Sequence, residues 1–133
     1  MKDKKFGRIV NITSAMVKNP HLIMGLSTSA RSGLHGLSKA LSREVAQFNI
    51  TINNLLPERI DTDRQTQMLN LQAKLTGKSY EESRRSLEET LSAKRMGTAE
   101  EFSGICTFLC SQQAAYISGQ NISVDGGNST NLI

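Results

Sequence analysis

The sequence predicts an α/β fold built on parallel strands. Three short β-prone segments, around residues 7–13, 50–56 and 119–127, are separated by longer helix-prone stretches. The resulting order of strand, helix, strand, helices, strand is what parallel strands joined by right-handed helical crossovers require. A chain of 133 residues fits one domain with a modest core.

Each element has its own signal. Gly7-Arg8-Ile9-Val10-Asn11-Ile12-Thr13 has a brief, nearly continuous apolar centre, as a strand buried on both faces does. Residues 27–48 follow a helical pattern, with Ala30, Leu34, Leu37, Leu41, Val45 and Phe48 recurring at steps of three and four. Gly33 and Gly36 interrupt that pattern at a cost in helix propensity, which predicts a close packing contact there. Ile50-Thr51-Ile52-Asn53-Asn54-Leu55-Leu56 reads as a second strand that Pro57 ends. Residues 63–95 are polar and helix-prone, with one break at Thr76-Gly77-Lys78. Ser79-Tyr80-Glu81-Glu82 fits a capping box that opens a new helix, and Thr98-Ala99-Glu100-Glu101 fits a second. The latter leads into the apolar stripe Phe102, Ile105, Cys106, Leu109 and Cys110. Residues 119–127 read as a turn, a last strand and a glycine-rich exit.

Composition narrows the function classes. The net charge of +4 is spread over small groups, at Lys2–Lys5, Arg84-Arg85 and Lys94-Arg95, with no interleaved aromatics. That scatter points away from nucleic acid. No run approaches the roughly 18 apolar residues of a membrane span, so no membrane partner is expected. The charged amino terminus has no long apolar stretch before Asn11, so no secretory signal is expected and the cytoplasm is the expected location. Cys106 and Cys110, four apart on a helix, share a face with parallel side chains, a poor geometry for a disulfide; they read as buried, reduced thiols. His21 and His35 stand alone, and no metal site is expected.

Five segments in order resemble the short-chain dehydrogenase/reductase family, and together they cover nearly the whole chain. Gly7–Ser14, GRIVNITS, resembles the family's fifth strand, which ends in a catalytic serine. Gly33–Ala46, GLHGLSKALSREVA, resembles the long helix after the active site. Ile50–Asp63, ITINNLLPERIDTD, resembles the sixth strand and its Pro-Gly-x-x-x-Thr turn. Arg95–Glu101, RMGTAEE, resembles the family's Arg-x-Gly-x-Pro-Glu-Glu approach to the next helix, and Ile117–Gly127, ISGQNISVDGG, its terminal strand with Asp-Gly-Gly. The pattern is similar to that of 3-oxoacyl-ACP reductase-like members. The resemblance implies a Rossmann-type doubly wound parallel sheet, of which residues 1–133 supply the last three strands and flanking helices as a single partial domain. The glycine-rich phosphate turn of the dinucleotide-binding half, Gly-x-x-x-Gly-x-Gly or Gly-x-Gly-x-x-Gly, does not occur in this sequence. Met1 accordingly reads as an internal residue taken as a start, or as the start of a truncated gene product.

The same resemblance assigns chemistry residue by residue. In the family a tyrosine is the acid or base at the substrate oxygen, a lysine four residues later lowers its pKa and holds the nicotinamide ribose, and a serine hydrogen-bonds the substrate. Ser14 matches that serine. Ser27 stands in the tyrosine position and Arg31 in the lysine position, within Ser27-Thr28-Ser29-Ala30-Arg31. An aliphatic hydroxyl is a weaker acid than a phenol and shorter by a ring, and a guanidinium keeps its charge but does not readily release a proton. Tyr80 and Tyr116 are not followed by lysine at the fourth position, so neither replaces the missing tyrosine. Pro57, Ile60 and Thr62 match positions that contact the nicotinamide amide and phosphates, while Glu58 replaces a glycine and adds negative charge, which argues against tight cofactor binding. Met68, Leu69, Leu71, Leu75, Leu87, Leu91 and Met96 lie where the family has its substrate lid; they read first as ordinary helix contacts and second as the lining of an apolar pocket. The implied activity is NAD(P)-dependent hydride transfer on a small carbonyl or alcohol, with no turnover expected from the isolated chain. The alternative is a non-catalytic subunit that forms homo-oligomers or joins another family chain through the helix at 27–48 and the last strand region.

Overall fold

The computed structural model describes residues 1–132. The β-prone segments form strands β1 (Gly7–Ile12), β2 (Ile50–Pro57) and β3 (Asn121–Val124). They make one parallel sheet in the order β1-β2-β3. Gly7 pairs with Ile50 and Ile12 with Leu55 on one side of β2; Asn54 pairs with Asn121 and Pro57 with Val124 on the other. The helices are α1 (Gly25–Val45), α2 (Asp63–Thr76), α3 (Tyr80–Thr90) and α4 (Ala99–Cys110), with single 3-10 turns at 15–17, 22–24 and 46–48.

Helices cover both faces of the sheet. On one face Val45 and Phe48 at the end of α1 pack on Ile9, Ile50 and Ile52. On the other, Leu109, Phe102, Ile105 and Cys106 of α4 join Ala114 over Val10, Leu55, Ile122 and Val124. A third cluster, Leu69, Leu91 and Met96 with Tyr80 and Leu87, holds α2 and α3 together. Burying each large aliphatic side chain stabilises the fold by about 1.5–3 kcal/mol.

Strand β2 is buried from Ile50 to Leu56, although it carries two adjacent asparagines. Neither amide is left wanting. Asn53 Nδ2 donates to the Ile117 carbonyl at 2.8 Å and its Oδ1 accepts from Gln120 N at 3.1 Å. Asn54 Oδ1 accepts from Asn11 Nδ2 at 2.9 Å, and Asn54 Nδ2 donates to Asn121 Oδ1 at 2.8 Å. Asn11, Asn54 and Asn121 are register partners, so their amides form a ladder across all three strands.

Both expected capping boxes are present, at Ser79/Glu82 and Thr98/Glu101. Glu101 also receives two hydrogen bonds from Arg95, at 2.6 and 2.8 Å. Those bonds, followed by the Thr98 amide, hold its carboxyl at about 2. The segment Arg95–Glu101 is therefore a local clamp that sets where α4 begins.

Several expectations are corrected. The helix after the first strand starts earlier, at Gly25, and its α-helical part ends at Val45. Its leucine stripe faces outward: Leu34, Leu37 and Leu41 are exposed, and the buried residues are His35, Ser38, Ser42 and Val45. The reason is close approach to the sheet. Ser38 Oγ accepts from Asn11 Nδ2 at 3.0 Å, and a Cβ built on Gly119 would sit 2.6 Å from Ser42 Oγ. Only small side chains fit there. Conversely, Gly33 and Gly36 lie on open surface with nothing within 4 Å of a built Cβ, so no packing contact explains them. The helical stretch expected to reach residue 95 ends at Thr90, where the chain turns through Lys94 at φ 57°. Cys106 is half-buried, with its thiol pKa raised by burial, but Cys110 is exposed. Met68, Leu71 and Leu75 are exposed rather than helix contacts, and Tyr116 is solvent-facing.

Two predictions follow from the buried polar groups. Asn54→Leu removes the central rung of the ladder; unfolding in urea should show a loss of about 1–3 kcal/mol, and a loss below about 0.5 kcal/mol would contradict the role given to it. His35, only 7% exposed, has its pKa lowered from the ordinary 6.5 by burial first and by the Lys18 charge second. The unfolded chain takes up a proton below that value that the folded chain resists. Stability from the neutral ring is thus complete above pH 6.5 and falls as pH drops below it, by at most about 1.4 kcal/mol per unit. His35→Gln should flatten the decline below about pH 6.5; an unchanged slope would place the acid sensitivity elsewhere.

Candidate active-site cleft

Beyond the carboxyl ends of β1 and β2 the chain opens a cleft of about 670 Å³. Ligands of open α/β sheets bind at this end of the strands. Its walls come from the end of β1 and the turn that follows, the start of α1, the turn after β2 and the first turn of α2. Ser14, Ser27, Arg31, Pro57, Ile60 and Thr62, spread over 49 positions of sequence, all line it.

Ser14 follows β1 directly, and its Oγ accepts from Met16 N at 3.2 Å, which caps the 3-10 turn. Ser27 lies in the first turn of α1, one turn before Arg31. The Arg31 guanidinium donates to the Ser27 carbonyl at 3.2 Å and also to the Ser27 hydroxyl. The two residues in the tyrosine and lysine positions are therefore paired, with remaining guanidinium N–H groups free to face a ligand. Pro57 is the last residue of β2, and Ile60 is held by a parallel bridge to Gly97. Thr62 caps α2, accepting from Gln65 N at 3.5 Å, so the first amides of that helix point out of its open end.

Glu58 has ordinary negative φ, so the backbone there needs no glycine; the left-handed residue of this turn is its neighbour Arg59, at φ 53°. The Glu58 carboxylate accepts from Asn128 Nδ2 at 2.8 Å, which ties it to the glycine-rich exit after β3. Its charge is thereby partly satisfied by a neutral partner.

Several cleft residues escape sequence reasoning. Arg59 and Arg64 line the cleft beside the residues of the recognised turn. Thr13 lines it as well, and Thr13 Oγ1 lies 2.8 Å from His35 Nε2 and 3.3 Å from the Leu55 carbonyl it donates to. This suits the neutral tautomer with the proton on Nε2. The signal for His35 was present: it lies four residues after Arg31 and shares its helix face. The cleft thus offers a hydroxyl donor at Ser14, a fixed cation at Arg31 and helix-end amides at α2, while the Thr13 proton is committed to the Leu55 carbonyl. It has no phenol.

Known proteins place this architecture. A family model described as "Enoyl-(Acyl carrier protein) reductase" matches residues 1–129. The NADPH-dependent reductase BacG of Bacillus subtilis (strain 168) is 38% identical over 128 residues, which is 96% of this chain and 49% of that protein. The 3-oxoacyl-[acyl-carrier-protein] reductase FabG of Aquifex aeolicus (strain VF5) is 32% identical over 127 residues, 96% of this chain and 47% of that one. Among solved structures, YwfH, an NADPH dependent reductase involved in bacilysin biosynthesis, superposes with a TM-score of 0.89 at 35% identity, covering 98% of this chain and 50% of that one. L-sorbose reductase from Gluconobacter frateurii, complexed with NADPH and L-sorbose, superposes with a TM-score of 0.91 at 28% identity, covering 99% and 51%. The chain spans about half the length of the relatives it matches. With its parallel sheet, its helices on both faces and this family match over nearly its whole length, the chain belongs to the short-chain dehydrogenase/reductase family.

Proposed function

We propose that this chain forms the carbonyl-binding half of an NAD(P)H-dependent reductase with a divergent acid site. The reading is supported above all by one observation: the six family-matched positions, Ser14, Ser27, Arg31, Pro57, Ile60 and Thr62, converge on a single cleft. The donor set suits the nicotinamide and phosphate end of the cofactor. Arg31 would hold the ribose, the open end of α2 a phosphate, and the Glu58 charge is turned towards Asn128. NAD(P)H, when bound, supplies the hydride to the carbonyl carbon.

The chain's own residues then act electrostatically. Ser14 donates to the substrate oxygen, and Arg31 stabilises negative charge as it develops there. Ser27 does not replace the phenol as an acid, because its hydroxyl is far less acidic and serves as the acceptor of Arg31. The proton comes from water. The glycine-rich half of the fold has to complete the pyrophosphate site, so the isolated chain binds cofactor weakly and does not turn over.

One observation favours a second reading, a non-catalytic association subunit. Leu22, Leu26 and Leu37, at 99%, 93% and 64% exposure, form with Leu34 and Leu41 an apolar face along the start and outside of α1. Large apolar patches of this kind mark association surfaces. Homo-oligomers or a pairing with another family chain would cover it.

NADPH fluorescence separates the two readings. Titration of the purified chain should show weak, saturable binding, which Arg31→Ala lowers at least about tenfold because a charge-assisted contact contributes about 1.5–3 kcal/mol. Steady oxidation of NADPH with a carbonyl substrate should be absent. No binding, together with a stable oligomer in light scattering, would replace the reductase reading with the association reading.

A further inference from the structure

Two arginines of this chain are neutralised by carboxylates, and three others share one cleft. Arg84 is paired with Asp61 and Glu88, and Arg95 with Glu101. Arg31, Arg59 and Arg64 all line the main cleft, and among the described residues none of the three forms an ion pair. The one carboxylate in the cleft wall, Glu58, already accepts from Asn128. The cleft therefore holds an excess of two fixed positive charges, and guanidinium groups match planar oxyanions with paired donors.

The backbone fixes where Arg59 stands. It sits at φ 53°, a left-handed backbone conformation that is strained for a side chain of this size. The strain is imposed by its surroundings: Gly97 N donates to the Arg59 carbonyl at 3.1 Å, and Asp61 N donates to the Gly97 carbonyl at 2.8 Å. Lys5, Asn49 and Lys94 share this conformation, so at Arg59 it fixes the position of the side chain at the cleft. Beside the three arginines the wall is apolar, at Met16, Ile23, Met24 and Ile60.

We propose that Arg59 and Arg64 form an oxyanion subsite that selects carbonyl substrates bearing a carboxylate, that is, short oxo acids with an apolar body, beside the Arg31 that serves the ribose and the reacting oxygen. This rests on the reductase reading, because the acid group would lie beside the carbonyl that Ser14 engages. A phosphate of the cofactor shares the same oxyanion chemistry, and the test separates the two sources.

The ¹⁵N-labelled chain is titrated with 2-oxohexanoate, with its neutral methyl ester, with inorganic pyrophosphate and with NADPH. The acid should bind at least about tenfold more tightly than the ester. It should shift the arginine Nε–H signals, and Arg59→Gln/Arg64→Gln should remove the preference. Both residues are exposed, so the variant should fold, which its unchanged amide spectrum outside the cleft checks. Equal binding of acid and ester, or a preference that survives the double substitution, overturns the proposal. Pyrophosphate binding at these arginines without 2-oxohexanoate binding overturns it in favour of a cofactor phosphate. NADPH binding with indifference to the acid overturns the subsite alone. Acid preference without NADPH binding supports the subsite and removes the reductase reading instead.

Discussion

Strand β2 is enclosed on both faces by helices and on both edges by strands, and the cleft hangs from its carboxyl end. Its enclosure is unusual because residues Asn53 and Asn54 bring two amides into the most buried part of the molecule. An unsatisfied buried amide would cost several kcal/mol, so the partners of these two side chains decide how β1, β3 and the turn at 117–120 sit. Asn54 sets the position of β1 through Asn11 and of β3 through Asn121; Asn53 anchors the approach to β3. Once the three strands are in register, Thr13 and Ser14 emerge beside Pro57 and Glu58, and the cleft has two of its walls.

Helix α1 supplies the third wall, and its two faces do different work. The inner face is small and polar: Ser38 meets the asparagine ladder, Ser42 meets the turn at Gly119, and His35 meets Thr13. These contacts place Arg31 and Ser27, one and two turns before His35, over the cleft. The outer face is apolar and uncovered. One helix thus carries both a wall of the cleft and an exposed apolar face.

Much of this was legible in the sequence. The strands announced themselves by short apolar runs, the capping boxes by their spacing, and the cleft residues by the family pattern. Helix α1 was the instructive failure. Its leucines repeat at steps of three and four, which normally identifies the buried face, yet here the sheet is approached so closely that serines are buried and leucines are not. Periodicity reports that two faces differ, but not which of them meets the sheet. The arginine pair at 59 and 64 was also hidden, because each reads as an ordinary surface charge until the chain turns them into the same cleft. Glu58 misled in the opposite direction: it replaces a glycine, but the left-handed backbone is at Arg59.

The proposed role of the cleft as a cofactor and carbonyl site stands or falls on where NADPH touches the chain. The most direct measurement maps backbone amide shifts on adding NADPH to the labelled chain. Binding in the cleft should shift Ser14, Arg31, Ile60 and Thr62 together and leave Tyr80–Thr90 undisturbed. Shifts confined to the outer face of α1, or spread evenly over the molecule, would contradict it.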